Sequence, residues 1–502
     1  MSNEDKQIRP NTEAFECDIL TAPSGFREYD ARWLYPEQIN LRGIQQLGMG
    51  IGTLIHEEGK EPSIAVGHDY RSYSASIKQA LIIGLMSSGC QVQDIGLALS
   101  PVAYYSQFDL DSTGVAMVTA SHNENGWTGV KMGIERPLTF GPELMSRLKE
   151  IVLSNKVIER SGGSYTYIND MKERYLQDIT KNIKIKRPLK VVAACGNGTA
   201  GIYAPQALEM IGCEVIPMDC ELDYTFPKYN PNPEDLEMLH ALSARVKETG
   251  ADIGFAFDGD GDRCGVVDNT GEEIFADKIG VLLARDLATI YENPTFVVDV
   301  KSTGLYNTDP ILKERNVKTD YWKTGHSYIK RRVNELNALA GFEKSGHFFL
   351  NDPIGRGYDD GIQTAVVICQ MLDRMADKSM AELRESLPKT WSSPTMSPYC
   401  PDETKYDVIE KVTAHFQKLY DEGQTILDQR IQDIVTINGV RFTLEDGTWG
   451  LVRASSNKPS LVVVVESPVS EKMMTDIFGI IDEVLQGFSD VGSYDQKLTA
   501  AA

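Results

Sequence analysis

Pro188-Leu189-Lys190-Val191-Val192-Ala193-Ala194-Cys195-Gly196-Asn197-Gly198 sets a proline before a short apolar run and closes the run with a small polar loop. An apolar run of that length between turn residues reads as a strand buried on both faces, with a helix to follow the loop. The pattern stands twice more, in Pro62-Ser63-Ile64-Ala65-Val66-Gly67-His68-Asp69 and in Pro294-Thr295-Phe296-Val297-Val298-Asp299-Val300-Lys301-Ser302-Thr303. The copies recur at intervals on the order of a hundred residues, the size of one domain. After the first copy, helix-like sequence from Ser76 to Ser88 leads to a second short strand, Gln91 to Ile95. Strands alternating with helices define α/β units with parallel or mixed sheets, so three similar α/β domains are expected.

Beyond Leu387 the texture changes to Trp391-Ser392-Ser393-Pro394-Thr395-Met396-Ser397-Pro398, and a shorter region of helix and strand then runs to Leu461-Val462-Val463-Val464-Val465-Glu466. The expected domains are 1–166, 167–272 and 273–389, all α/β, and a smaller α+β C-terminal domain over 390–502. The last dozen residues lack periodicity, end in Ala500-Ala501-Ala502 and are expected to fray.

A chain of 502 residues exceeds one ordinary hydrophobic core, which agrees with several domains. No apolar run approaches the roughly 20 residues of a membrane span, so no membrane segment is expected. The charged start Met1-Ser2-Asn3-Glu4-Asp5-Lys6 is followed by no apolar signal core, and a cytoplasmic location is expected. The eight cysteines are scattered, without a Cys-x-x-Cys pair, and read as mostly buried thiols of a reduced compartment. A formal charge of -22 repels polyanions and argues against nucleic-acid binding. An anionic substrate would need a local basic exception.

The strongest chemical signal is Phe257-Asp258-Gly259-Asp260-Gly261-Asp262-Arg263, directly after the apolar Ile253-Gly254-Phe255-Ala256. Three carboxylates at alternating positions, with glycines allowing a tight turn, can converge on one hard divalent cation. A solvated acidic turn is the bland alternative, but three aspartates crowded at a strand end are costly without a neutralising cation. An EF-hand does not fit, because position twelve counted from Asp258 is Asn269 rather than Glu.

A second signal is Val118-Thr119-Ala120-Ser121-His122-Asn123-Glu124-Asn125-Gly126. Its serine can be a nucleophile or phosphate carrier, although most serines beside Asn and Gly stabilise turns. Gly-x-Ser-x-Gly is absent, which disfavours a hydrolase elbow. A third group comprises Lys323-Thr324-Gly325-His326, Phe342-Glu343-Lys344-Ser345-Gly346-His347 and Arg453-Ala454-Ser455-Ser456-Asn457-Lys458. These supply acceptors and hydroxyls for sugar hydroxyls, and a guanidinium with hydroxyls for a phosphate; each also reads as an ordinary polar loop. Cys195-Gly196-Asn197-Gly198-Thr199-Ala200-Gly201 matches Gly-x-Gly-x-x-Gly after a strand, with Asp219 further on, and so supports a nicotinamide dehydrogenase as the second reading. That reading leaves the other loops without a role.

In their order, Thr-Ala-Ser-His-Asn, Asp-Gly-Asp-Gly-Asp-Arg, Glu-x-Ser-Gly-His and Arg-x-Ser-x-x-x-Pro resemble the α-D-phosphohexomutase family, from about Phe26 to about Ser467. The resemblance implies a Mg2+-dependent phosphotransferase that interconverts hexose 1-phosphate and hexose 6-phosphate of mannose, glucose or both, with hexose 1,6-bisphosphate as intermediate and activator. It implies a phosphoserine at Ser121, and Mg2+ held by Asp258, Asp260, Asp262 and a phosphate oxygen on Ser121, with Arg263 beside the metal loop. Lys131 would be a general acid or base, and Arg32, His122 and His326 further catalytic candidates. Tyr29, Lys301, Glu343, Ser345 and His347 would meet the sugar, and Arg453, Ser455 and Asn457 the nonreacting phosphate. The four domains would surround a central cleft, with the fourth closing over it, in a monomer or weak homo-oligomer. Trp33 stands where many relatives have Gly, and Ser455-Ser456-Asn457-Lys458 where relatives commonly have Ser-Asn-Thr-Glu.

If Lys131 is the base, its pKa has to be lowered toward neutrality, for which nearby Arg32 and Arg263 are the expected cause. Two further alternatives are a phosphoglucosamine mutase and a noncatalytic sugar-phosphate-binding relative.

Overall fold

The computed structural model describes residues 16–456 and 458–498. The three proline-led runs form strands Ser63–His68, Lys190–Ala194 and Thr295–Asp299, and each lies inside a sheet with a strand on either side. All but their first or last residues are buried, which is why they read as continuous apolar stretches rather than alternating ones.

The first sheet runs in the order Ala31–Leu34, Trp127–Gly133, Gly114–Val118, Ser63–His68, Gln91–Leu97, Ser164–Tyr167. Its last four strands are parallel, whereas Trp127–Gly133 runs antiparallel to both of its neighbours. That reversed strand pairs Met117 with Lys131 and carries the lysine toward the loop after Gly114–Val118. Helices Leu41–Glu57, Ser74–Ser87 and Pro142–Leu153 bury apolar faces in this domain's core around Ile44, Leu47, Leu81 and Leu148.

The second sheet is ordered Glu273–Ile274, Cys264–Asp268, Ile253–Phe257, Lys190–Ala194, Glu214–Met218. Ile253–Phe257 and Cys264–Asp268 form an antiparallel hairpin whose six-residue loop is Asp258 to Arg263. In the third repeat, Thr295–Asp299 pairs in parallel with Lys318–Trp322 and with Ala340–Phe342. The C-terminal sheet pairs antiparallel throughout, in the order Trp391–Ser392, Leu461–Ser467, Trp449–Ala454, Val440–Leu444, Gln429–Val435, Thr425–Ile426. Helices Lys405–Asp421 and Glu471–Gln486 cover it.

The chain thus has three α/β domains with parallel or mixed sheets and a different C-terminal domain. Compactness groups it otherwise. One unit joins the chain up to Ile279 with Ser345–Glu382, and the other joins Gly280–Lys344 with the described chain from Leu383 on. The third repeat is therefore shared between the two.

The expected fraying of the last dozen residues is corrected as far as they are described. Tyr494 bridges Pro398, the backbone N–H of Ser397 donates to Asp495 Oδ1 at 2.7 Å, and Lys497 Nζ donates to Asp482 Oδ2 at 2.6 Å. These side-chain contacts hold a segment that has no periodicity to betray it. Thr499 to Ala502 lie outside the described residues. No helix among the described residues is long and apolar enough to cross a membrane.

Candidate active site

The loop after strand Gly114–Val118 turns at Ser121, whose φ is +52°, in the left-handed region that a non-glycine residue rarely adopts. Such strain persists only where the surroundings over-determine it. Here the buried Asp69 accepts from Thr119 Oγ1 at 2.8 Å and from Ser74 Oγ at 2.5 Å, while Thr119 Oγ1 takes the Ser121 N–H at 2.8 Å. From the same segment the Arg71 guanidinium donates to the carbonyls of Ser121, Asn123 and Glu124 at 3.0, 2.7 and 3.2 Å. Asp69 and Arg71 thus hold the serine loop, a role the sequence reading missed. No local pattern marks them: Asp69 follows the last strand residue, His68, and Arg71 comes after Tyr70.

The acidic loop approaches Ser121 directly. Ser121 Oγ donates to Asp258 Oδ2 at 3.2 Å, and a side chain at Gly259 would stand 2.7 Å from the Ser121 carbonyl, so only glycine fits there. Asp258, Asp260 and Asp262 are wholly buried, and each offers an oxygen within 4.8 Å of the others. Asp260 Oδ1 and Asp262 Oδ1 have no hydrogen-bond partner among the described residues. Buried carboxylate oxygens left so are costly, and an oxygen-binding divalent cation fits them. Burial, then the charges of Asp262 and Asp260, push the Asp258 carboxyl well above its usual range. Three adjacent carboxylates resist full ionisation without a cation.

Lys131 answers part of that charge, with Nζ at 2.7 Å from Asp260 Oδ2 and 2.5 Å from Asp262 Oδ2. The expectation of a lowered Lys131 pKa is therefore corrected. Burial pulls the ammonium down, but Asp260 and Asp262 more than offset it and hold it well above the ordinary lysine range. For Asp260, burial works upward, and Lys131 more than offsets it, leaving the carboxyl below its usual range. Ser100, a further residue that the sequence reading missed, donates its hydroxyl to Asp260 Oδ2 at 2.6 Å and its N–H to the Asp260 carbonyl.

Around this centre stand the other candidates from the same unit. Arg263 Nε donates to His347 Nε2 at 3.0 Å and lies 3.8 Å from Asp258 Oδ2, and its Nη1 meets Glu234 Oε2 at 3.1 Å. His347 Nδ1 is 3.1 Å from Asp359 Oδ2 and 3.7 Å from Asp262 Oδ1. His347 thus belongs to the acidic loop's surroundings. His122 Nδ1 sits 3.2 Å from Ser121 Oγ. Loss of hydration, followed by the charges of Arg263 and Arg32, drives the His122 pKa well down, so this ring is neutral. Arg32 is anchored by Asp30 at 2.7 Å, with the buried Tyr29 next in sequence to that aspartate.

The second unit holds the remaining candidates. Glu343 Oε1 accepts the Gly325 N–H at 2.5 Å, next to the buried His326 that opens helix His326–Glu335. Lys301 is buried with Nζ 3.9 Å from Asp299 Oδ2. Arg453 lies near the end of strand Trp449–Ala454, and Ser455 Oγ accepts the Lys458 N–H at 3.2 Å. Lys405 Nζ braces this loop through the Ser455 carbonyl at 2.6 Å. Asn457 lies outside the described residues. Ser345 falls in the first unit, one residue past the boundary.

The Gly196 turn has a structural task. Its Gly198 packs with a would-be Cβ 3.1 Å from the Gly259 Cα, and Asp219 is taken up by Lys228 and Tyr229. This glycine turn supports the acidic loop.

Ser121, at a strained turn of the first α/β domain, faces the buried three-carboxylate loop of the second, an arrangement that suits a divalent cation beside a hydroxyl nucleophile. Models of the four phosphoglucomutase/phosphomannomutase domains match residues 23–158, 167–271, 275–391 and 400–484, the first three described as alpha/beta/alpha domains I to III and the last as the C-terminal domain. The chain belongs to the phosphoglucomutase/phosphomannomutase family of enzymes. It is 37% identical over 448 residues to a phosphomannomutase/phosphoglucomutase of Pseudomonas syringae pv. tomato, covering 89% of this chain and 92% of that one. A protein of the same name from Pseudomonas putida is 35% identical over 455 residues, 90% of this chain and 94% of the other. Among solved structures, a phosphoglucomutase/phosphomannomutase family protein from Burkholderia thailandensis aligns with TM-score 0.83 at 29% identity, over 93% of this chain and 98% of that one.

Proposed function

We propose that the protein moves a phosphoryl group between the 1- and 6-positions of a hexose phosphate, mannose or glucose, through a phosphoserine at Ser121. The observation that carries this reading is Ser121 Oγ at 3.2 Å from Asp258 inside a buried cluster of three aspartates. Names of relatives that cover nearly the whole chain support the substrate class. Mg2+, held by Asp258, Asp260 and Asp262, would neutralise charge on the transferring group.

In the cycle, the Ser121 phosphate passes to the free hydroxyl of the sugar, giving hexose 1,6-bisphosphate. The bisphosphate turns over, and its other phosphate returns to Ser121. The left-handed turn at Ser121 keeps Oγ aimed at the acidic loop, and Arg71 and Asp69 keep that turn rigid. Lys131, its ammonium held charged by Asp260 and Asp262, is the candidate proton donor, and Arg32, which stays protonated, suits charge on the moving group. The neutral His122 is close enough to hold a proton shared with Ser121 Oγ. Glu343 and Ser345 suit the sugar hydroxyls, and Arg453 with Ser455 and Asn457 suits the nonreacting phosphate.

Phosphorus NMR of the protein with glucose 1-phosphate, Mg2+ and a trace of glucose 1,6-bisphosphate tests the reading, with a parallel run on mannose 1-phosphate. Conversion to the 6-phosphate that requires Mg2+ and is lost in Ser121→Ala is expected. Turnover confined to glucosamine phosphate would move the assignment to that sugar, and no turnover of any of the three would overturn it.

A further inference from the structure

We propose that Cys195 and Cys220 form a peroxide-responsive dithiol that closes to an intramolecular disulfide. Cys195 follows strand Lys190–Ala194 and Cys220 follows its parallel neighbour Glu214–Met218, and their Sγ atoms lie 3.5 Å apart. Closure to a bond of about 2.05 Å moves the sulfurs together by roughly 1.5 Å, a shift two strand-end loops can absorb. Glu214–Met218 is the edge strand of its sheet, and Cys220 at its end is part-exposed, whereas Cys195 is wholly buried. An oxidant therefore reaches Cys220 first and finds Cys195 directly behind it.

The two thiols also divide the chemistry. The sulfur–sulfur contact with Cys195, which outweighs burial, draws the Cys220 thiol below its ordinary range. Burial, and then the same contact, raises Cys195 well above it. A part-exposed thiol with a buried thiol 3.5 Å behind it is the arrangement of a reactive and a resolving cysteine. Cys213 and Cys369 form a second hydrogen-bonded pair, but both are buried and offer no entry.

In the step itself the Cys220 thiolate attacks a peroxide oxygen and the O–O bond breaks, giving Cys220 sulfenic acid and, once the departing oxygen is protonated, water. Cys195 sulfur then attacks the sulfenic sulfur, the S–O bond breaks, and the hydroxyl leaves as water with the Cys195 proton. Two thiols lose two electrons in total, and one peroxide is reduced to two waters.

The test uses the full chain, reduced and then exposed to near-stoichiometric hydrogen peroxide, with remaining thiols alkylated after denaturation. No Lys or Arg lies between Lys190 and Lys228, so trypsin leaves both cysteines and Cys213 in one peptide. A Glu-specific protease separates the three at Glu209, Glu214 and Glu221. A cross-linked peptide pair joining Cys195 to Cys220, reopened by dithiothreitol, is expected, with the other six cysteines recovered alkylated. In Cys195→Ser, dimedone should trap Cys220 as its sulfenic acid adduct. Recovery of alkylated Cys195 and Cys220 at a peroxide dose that oxidises the exposed Cys17 overturns the proposal, as does a cross-link from Cys220 to any other cysteine. The wild-type mapping decides the matter even if a variant folds poorly, and neither readout depends on mutase turnover.

Discussion

The acidic loop of the first unit and the phosphate-type loop of the second solve opposite problems. Asp258, Asp260 and Asp262 are sealed from water, crossed by Lys131 and set by fixed backbone turns at Ser121 and Gly261. The loop after Arg453 sits at the end of an antiparallel strand and is part-exposed, with Lys458 exposed and with Arg453 and the bracing Lys405 buried at its base. A buried ionic cluster is rigid because any displaced charge is left unpaired, whereas a surface loop can adapt to a ligand at little cost. On the proposed function, bond-making would fall to the first kind of region and recognition to the second.

If that division is right, substitutions in the two loops should affect different kinetic constants. Ser121→Ala should reduce turnover by roughly ten-thousandfold or more, and transfer of label from radioactive bisphosphate to the protein should vanish; labelling that survives would place the carrier elsewhere. Lys131→Met should lower kcat by about a hundred- to ten-thousandfold. It should also destabilise the metal-free protein by about 3 to 5 kcal/mol, because Asp260 and Asp262 lose their buried partner. Urea denaturation with and without Mg2+ checks this, and the deficit should shrink when Mg2+ is present. Arg453→Ala, by contrast, should raise KM by about ten- to a hundredfold with a smaller change in kcat. A dominant kcat effect would break the comparison.

A further expected effect concerns stability alone. Burial pushes the Asp360 carboxyl from 3.8 up to about 7, although Tyr175 and the Gln363 N–H donate to it. The folded protein binds this proton more tightly than the unfolded chain, so the stability it contributes is full below about pH 4 and is lost as pH rises through about 7. A shift of about three units bounds the effect near 4 kcal/mol. The difference in urea stability between wild type and Asp360→Asn should change in that direction from pH 5 to pH 8. A difference that does not vary with pH would show that Asp360 is ionised throughout.

The fold was legible because buried parallel strands leave continuous apolar runs, and three such runs follow proline at similar spacing. Asp258, Asp260 and Asp262 were legible for a related reason: the chain holds them together in five residues. What the sequence could not show is what meets them from afar. Lys131 lies 129 and 131 positions from its two aspartates, so no local pattern reveals that carboxylates rather than arginines set the sign of its pKa shift. The supporting Asp69, Arg71 and Ser100 escaped for the same reason, since each acts on a loop at least 50 residues away. The glycine turn at Gly196 shows the converse error. Its local pattern fits a nucleotide, while its contacts fit a neighbouring loop.

The partition of the third repeat bears on how the molecule is made. Residues Ser345–Glu382 belong to the first unit, and they bring His347 and Asp359 to the acidic loop and Asp360 to Tyr175. On the ribosome, these residues emerge only after the intervening chain from Gly280 to Lys344. At about 5 to 20 residues per second, the roughly one hundred residues from Ile279 to Glu382 take on the order of 5 to 20 s. For that interval the nascent first unit carries its acidic loop without His347 and Asp359, so the unit can be completed only after the chain has passed through the second.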